Sequence, residues 1–280
     1  MMSNPKTYHR PTTLEDALAL SRDAKTIALA GGALLFGRQE LPFETVVDLQ
    51  DVAALRQITA EDNGVAIGAA VMLQEMVDSE LLPSFLKRSL TRALPLNLRN
   101  GASVGESLML EQPPREWLAA LVALDVGVTR LLPNGDSATD GIGSLIDGSA
   151  GHTLREGLIT SLFVPALHPR EAVGAAYVAR TPADEPLVNA AVFVQLDAAG
   201  LVDSAFAAIC GASVEPVVSL YLDTLAGYPL DEANIANAVK VIAPRVDPVG
   251  DFLGSAEYRR EMARVTVQRA LLDCLTSLQP

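Results

Sequence analysis

A short apolar run, Thr26-Ile27-Ala28-Leu29-Ala30, stops on Gly31-Gly32. This junction constrains the fold more than any other feature of the chain. The run is too short for a helix and reads as a buried strand. A strand that runs straight into paired glycines exposes backbone N–H groups that no Cβ screens, a geometry suited to holding an anion. A second glycine stretch follows at Gly101-Ala102-Ser103-Val104-Gly105. It has two readings. Both stretches could be glycine loops around a phosphate. Alternatively, G-x-S-x-G could be a nucleophile elbow presenting Ser103, with the upstream glycines as an oxyanion loop.

The elbow needs a hydrophobic strand directly before it and a helix directly after it. Leu96-Asn97-Leu98-Arg99-Asn100 precedes it, poor in β-branched residues and carrying a charge and two amides. A triad acid could come from Asp125, Asp136, Asp140 or Asp147, and a histidine from His152 or His168, so order alone leaves the hydrolase open. The simpler reading of Ser103 is a loop hydroxyl bonded to backbone.

Composition limits the ligand class. Lys plus Arg number 21 and Asp plus Glu 34, for a net charge of −13. Such an acidic chain, lacking basic runs, argues against nucleic acid and against an anionic membrane. Apolar residues are 49% of 280, enough for one large domain or two modest ones. No secretory leader and no membrane span is read, so the expected compartment is cytoplasmic. Cys210 and Cys274 read as buried thiols. His9, His152 and His168 lack the spacing of a zinc site.

Thr12-Thr13-Leu14-Glu15 reads as a capping box with Thr12 as N-cap of a helix over residues 13–23. Strands are expected at 26–30, 45–49, 65–70, 126–131 and 156–165, and a helical stretch near 72–94. Pro114 opens a helix whose Trp117, Leu121 and Leu124 share a core face. Asn134-Gly135 marks a hairpin. Leu167-His168-Pro169-Arg170-Glu171 reads as a domain boundary. Strands follow at 175–180, 189–197 and 202–211, the last two forming a hairpin through Ala198-Ala199-Gly200. Ser255 caps a closing helix that runs to about 278, with Tyr258, Met262, Val265 and Leu272 as its apolar stripe.

The chain resembles the FAD-binding (medium) subunit of the molybdenum hydroxylases, the xanthine dehydrogenase and aerobic carbon monoxide dehydrogenase family. Tyr8-His9-Arg10-Pro11-Thr12-Thr13-Leu14-Glu15-Asp16-Ala17 is like the family's opening. Leu29-Ala30-Gly31-Gly32-Ala33-Leu34-Leu35 is like its first flavin loop. Leu98-Arg99-Asn100-Gly101-Ala102-Ser103-Val104-Gly105 is like its second, and Ser255–Ala270 like its C-terminal signature. The resemblance implies an α+β chain. A two-part FAD-binding domain over 1–168 (about 1–60 and 61–168) precedes an antiparallel three-stranded sheet with helices over 169–280.

It also implies FAD held by Leu29, Ala30, Gly31, Gly32, Ala33, Leu34, Leu35, Asn100, Ala102, Ser103, Val104, Gly105, Glu106, Ser107 and Glu116. It implies a large molybdopterin subunit and a small subunit with [2Fe–2S] clusters as partners, with electrons passed through the flavin to NAD, a quinone or another acceptor. Arg99 is read as ordering its loop and Asn100 as capping its own turn.

Departures gather at the flavin loops. Ala33 and Leu34 replace a polar pair, and Gly105-Glu106-Ser107 stands where the family has G-G-N. A carboxylate ~5 Å from a phosphate costs about 3 kcal/mol at an effective dielectric near 20. A positive φ at that position would add roughly 1–2 kcal/mol. Ser107 could still donate a hydrogen bond. Three readings stay open: a flavin electron-transfer subunit, which is preferred; a subunit of the same fold that has lost FAD and serves as a structural or assembly partner; and a serine hydrolase using Ser103.

Overall fold

Short β-branched runs bounded by turns build the first sheet. In the computed structural model β1 (Thr7–His9), β2 (Thr26–Leu29) and β3 (Thr45–Asp48) pair in parallel, in the order β1-β3-β2. The structure describes residues 5–23, 25–34, 43–110, 112–147, 149–151, 153–154, 156–181 and 184–278. Helix α1 (Leu14–Leu20) connects β1 to β2, with Ala17 and Leu18 buried. Its N-cap is Thr13 and not Thr12: the Thr13 hydroxyl accepts from the Asp16 N–H at 3.2 Å. Thr13 has the extended backbone that an N-cap requires, with φ −122° and ψ 154°.

The second sheet is antiparallel. Strands β4 (Ile58–Glu61), β5 (Gly64–Gly68), β6 (Gly127–Leu131), β7 (Ser137–Gly141) and β8 (Leu158–Pro165) lie in the order β4-β5-β8-β6-β7. The hairpin expected at Asn134-Gly135 joins β6 to β7. Between β5 and β6 the chain forms α2 (Leu73–Asp78), α3 (Ser84–Ala93), α4 (Leu96–Gly101), α5 (Val104–Met109) and α6 (Arg115–Ala123). The single helical stretch expected near 72–94 is therefore two helices. Pro83, with no N–H to continue the ladder, stands at the N-cap of the second. Pro95 and Pro114 do the same for α4 and α6, so Pro114 precedes the first helical residue and does not occupy it. Helix α7 (Ile142–Asp147) follows β7.

The third sheet holds β9 (Glu171–Val178), β10 (Val188–Leu196), β11 (Val202–Cys210) and β12 (Val218–Tyr221), antiparallel in the order β12-β11-β10-β9. A short edge strand thus joins the three expected ones. Helix α8 (Glu232–Ala238) precedes α9 (Ala256–Leu278), which packs on β9 and β10. Ser255 caps α9, its hydroxyl accepting from the Tyr258 N–H at 3.2 Å.

The buried face of α9 is Arg259, Ala263, Thr266, Val267, Ala270, Leu271 and Cys274. Of the expected stripe, Met262 and Leu272 pack partly buried against this core, while Tyr258 is 41% exposed. Close packing sets the buried face. A Cβ on Gly174 of β9 would lie 2.1 Å from the Ala270 carbonyl oxygen, so small residues face the sheet where larger ones could not fit. Cys210 and Cys274 are buried, and burial pushes both thiols up to about 12.

The chain divides into two units. One comprises residues 1–113 and 125–166, the other 114–124 and 167–280. Helix α6 belongs to the second, where it packs on β10 and β11 with Trp117 fully buried. No helix among the described residues is long and apolar enough to cross a membrane.

Candidate anion site at the glycine loops

The first unit brings the two glycine stretches together. Strand β2 ends at Leu29, Ala30 is buried, and Gly31 and Gly32 take φ values of 97° and 92°. A Cβ on Gly31 would lie 2.2 Å from the Gly101 carbonyl oxygen, so this residue must be glycine for space as well as for its dihedral. The Ala33 N–H donates to that same Gly101 oxygen at 3.1 Å. The second stretch is fixed from its other side. Leu73 N–H donates to the Ala102 carbonyl at 2.9 Å, Val104 N–H to the Val71 carbonyl at 2.9 Å, and Gly105 N–H to the Ala69 carbonyl at 2.8 Å. Ala102 and Val104 are fully buried and serve as packing.

Ser103 is the N-cap of α5. Its hydroxyl accepts from the Glu106 N–H at 3.2 Å, and the residue is 1% exposed. The element before it is the helix α4, not a strand. Neither the approach to the serine nor its hydrogen bonding is that of an elbow, so the hydrolase reading is withdrawn. His152, one of its two candidate bases, lies outside the described residues.

Glu106 is the residue that sequence reasoning placed wrongly in physical terms. It lies on α5 with helical backbone; Asp125, at φ 49°, is the one positive-φ non-glycine among the described residues. The strain expected at Glu106 is absent. Its carboxylate curls back as the acid of a capping box, with Oε2 accepting from the Ser103 N–H at 3.4 Å. The same Oε2 accepts from the Gly32 N–H at 2.9 Å, and Oε1 accepts from the Leu34 N–H at 2.8 Å. Glu106 is 2% exposed. A buried carboxylate is tolerable only when hydrogen-bonded, and each such bond to a charged group is worth about 1.5–3 kcal/mol. The sequence held the signal in Ser103-x-x-Glu106, the capping-box spacing, which the G-x-S-x-G reading passed over.

The surrounding residues divide by role. Leu34 turns its side chain onto a cluster of Ile27, Leu29, Val46 and Leu110, leaving its N–H toward the carboxylate. Loss of a polar side chain there is matched by a gain in apolar packing, while the backbone donor is kept. Ser107 is fully buried and donates to the Val104 carbonyl at 2.7 Å. Arg99 is 8% exposed; it donates to Gln74 Oε1 at 2.8 Å, to the Thr91 carbonyl at 3.3 Å and to the Leu94 carbonyl. Among the described residues it orders its segment through these neutral acceptors. Gln74 escaped the sequence reading because a lone glutamine carries no pattern. Asn100 is exposed at the end of α4. Glu116 lies on α6, in the second unit, and Leu35 lies outside the described residues.

The donor set is three backbone N–H groups converging on one anion, with apolar packing behind Leu34 and a glycine that admits no Cβ. In its chemistry it fits a phosphate. In this structure the anion it holds is Glu106.

The first unit thus carries a parallel β-α-β layer, paired glycine loops and an antiparallel sheet. Residues 2–167 match the model of the FAD binding domain in molybdopterin dehydrogenase, and residues 176–274 that of the CO dehydrogenase flavoprotein C-terminal domain. The chain belongs to this molybdopterin dehydrogenase FAD-binding family, which makes FAD the cofactor of its first domain. It is 28% identical over 279 residues to the 6-hydroxypseudooxynicotine dehydrogenase complex subunit alpha of Paenarthrobacter nicotinovorans, spanning 96% of this chain and 94% of that one. It is 27% identical over 281 residues to the carbon monoxide dehydrogenase medium chain of Afipia carboxidovorans, with 94% of each covered. Its fold matches a chain of a crystal structure of the cyanide-inactivated Cu,Mo-CO dehydrogenase, with a TM-score of 0.84, 23% identity and coverage of 98% and 99%.

Proposed function

We propose that the chain is the FAD-binding electron-transfer subunit of a molybdenum hydroxylase complex. In that complex it works beside a large molybdopterin subunit and a small subunit carrying [2Fe–2S] clusters. The flavin, when bound, supplies a centre that accepts electrons from the clusters and releases them to NAD, a quinone or another acceptor. The chain's own residues hold it. The N–H groups of Gly32, Leu34 and Ser103 form the anion cradle, and Gly31 lets the two loops touch. Of the remaining residues read from the resemblance, Leu29, Ala30, Ala33, Leu35, Asn100, Ala102, Val104, Gly105 and Ser107 are proposed to lie on the same two loops around the cofactor. The convergence of these N–H groups on one anion carries the reading. Two thiols free of disulfides suit a reducing compartment, and we place the protein in the cytoplasm.

One observation favours a second reading, a flavin-less subunit of the same fold: the cradle's donors are already engaged by Glu106. The absorbance spectrum of the purified full chain separates the two, with chromatography of whatever acid releases. Flavin bands near ~450 nm and about one FAD per chain are the expected result. A colourless chain that stays so after incubation with FAD would leave the scaffold reading.

A further inference from the structure

The hydrogen bonds of Glu106 exceed what its helix needs. A capping box is complete once the Glu106 N–H meets the Ser103 hydroxyl and the carboxylate meets the Ser103 N–H. This carboxylate goes further, crossing to a loop more than seventy residues away and taking the Gly32 and Leu34 N–H groups at 2.9 and 2.8 Å, both shorter than its own cap bond at 3.4 Å. It is 2% exposed there. The loop it occupies is built for an anion and admits no side chain at Gly31.

We propose that Glu106 is a built-in occupant of the flavin site, a carboxylate that holds the glycine cradle as an internal stand-in for phosphate and leaves it when the pyrophosphate of FAD enters. The inference rests on the flavin reading above. Its physical basis is exclusion. The N–H groups of Gly32 and Leu34 can face one anion at a time, and a carboxylate and a pyrophosphate packed side by side in a buried site repel strongly. Flavin binding therefore exchanges one anion for another. The cradle stays ordered without ligand, and the affinity for FAD is lowered by whatever the carboxylate gains there. Once displaced, Glu106 keeps its own N–H on the Ser103 hydroxyl while its carboxylate turns away from all three N–H groups.

The test is a titration of the full chain with FAD and, separately, with ADP, which carries the pyrophosphate without the flavin ring. Glu106→Gly removes the occupant, and Glu106→Gln keeps its shape without its charge. Circular dichroism establishes that each variant is folded, and the glutamine variant carries the test if the glycine variant is not. The expected result is FAD binding about a hundredfold tighter in E106G and about tenfold tighter in E106Q, with ADP tightening in the same order. Unchanged or weaker binding in both folded variants overturns the inference, while one FAD per wild-type chain would leave the subunit reading standing. If the wild-type chain and both variants all fail to take FAD, the subunit reading falls and this inference with it.

Discussion

Glu106 in the first unit and Arg259 in the second are both buried ionised side chains, 2% and 4% exposed, and each is held by backbone far away in sequence. Their partners differ. Arg259 donates to the Leu187 carbonyl at 2.7 Å and to Asp251 at 2.8 Å, so its charge is met by a carboxylate of its own chain. Glu106 is held by N–H groups of a glycine loop, donors that any anion of suitable size can use. A buried charge closed by an opposite charge is a staple. A carboxylate seated on the N–H groups of a glycine loop uses donors that a ligand anion can also use. Both residues fall in stretches that resemble the same family, yet one stretch secures a turn and the other is the proposed ligand cradle.

The largest effects that sharpen this comparison come from the two tightest glycines. Gly174→Ala forces a Cβ onto the Ala270 carbonyl oxygen at 2.1 Å, and Gly31→Ala forces one onto the Gly101 oxygen at 2.2 Å. Each is expected to cost about 3 kcal/mol in urea unfolding, the upper range for overpacking. Measured on folded protein, only the Gly31 variant should lose FAD.

Arg259→Met comes next. It strips the Leu187 carbonyl of a charged donor and is expected to lower stability by about 2 kcal/mol without changing FAD affinity. The side chain of Asp251 is 45% exposed, so its released charge stays in water and adds little further penalty. If FAD binding changed in this variant, the staple reading would be wrong.

Glu106→Gln should cost only about 1 kcal/mol in the flavin-free chain, because the amide keeps one acceptor. Added FAD should then raise the melting temperature of the variant more than that of the wild type.

The smallest effects are pH-dependent. The hydrogen bond from Arg259 holds the Asp251 carboxyl below its ordinary value of 3.8. The hydrogen bonds from Lys25 and then Lys6 hold Glu44 at about 2, below its ordinary 4.5. Both contributions are complete above the ordinary values and vanish as pH falls through the lowered ones. Melting curves between about pH 5 and pH 2 should therefore fall toward acid. The Asp251 part should shrink in Arg259→Met, leaving only what the Leu253 and Gly254 N–H groups supply. The Glu44 part should weaken in high salt, since Lys6 and Lys25 are well exposed.

What was legible in the sequence follows the same division. Strands such as Val202–Cys210 and the Asn134-Gly135 hairpin show plainly, because period and turn chemistry are local. The capping of α9 by Ser255 was also legible, but its buried face was not. That face is set by how near the helix approaches Gly174, a fact of tertiary packing. Helix α4 was missed because a six-residue turn between Pro95 and Ala102 has no periodicity to read. The glycine loops read in the sequence as an anion site, the reading kept in the proposal above, and Glu106 stood out as the residue at odds with it. That its carboxylate would enter the site depends on a contact with Gly32 and Leu34 that no local pattern encodes.

The most direct test of the central claim is a crystal structure of the full chain grown with FAD. The expected result has pyrophosphate oxygens on the N–H groups of Gly32 and Leu34, with the Glu106 carboxylate turned off them. FAD bound elsewhere on the chain, with Glu106 still bonded to both N–H groups, would contradict it.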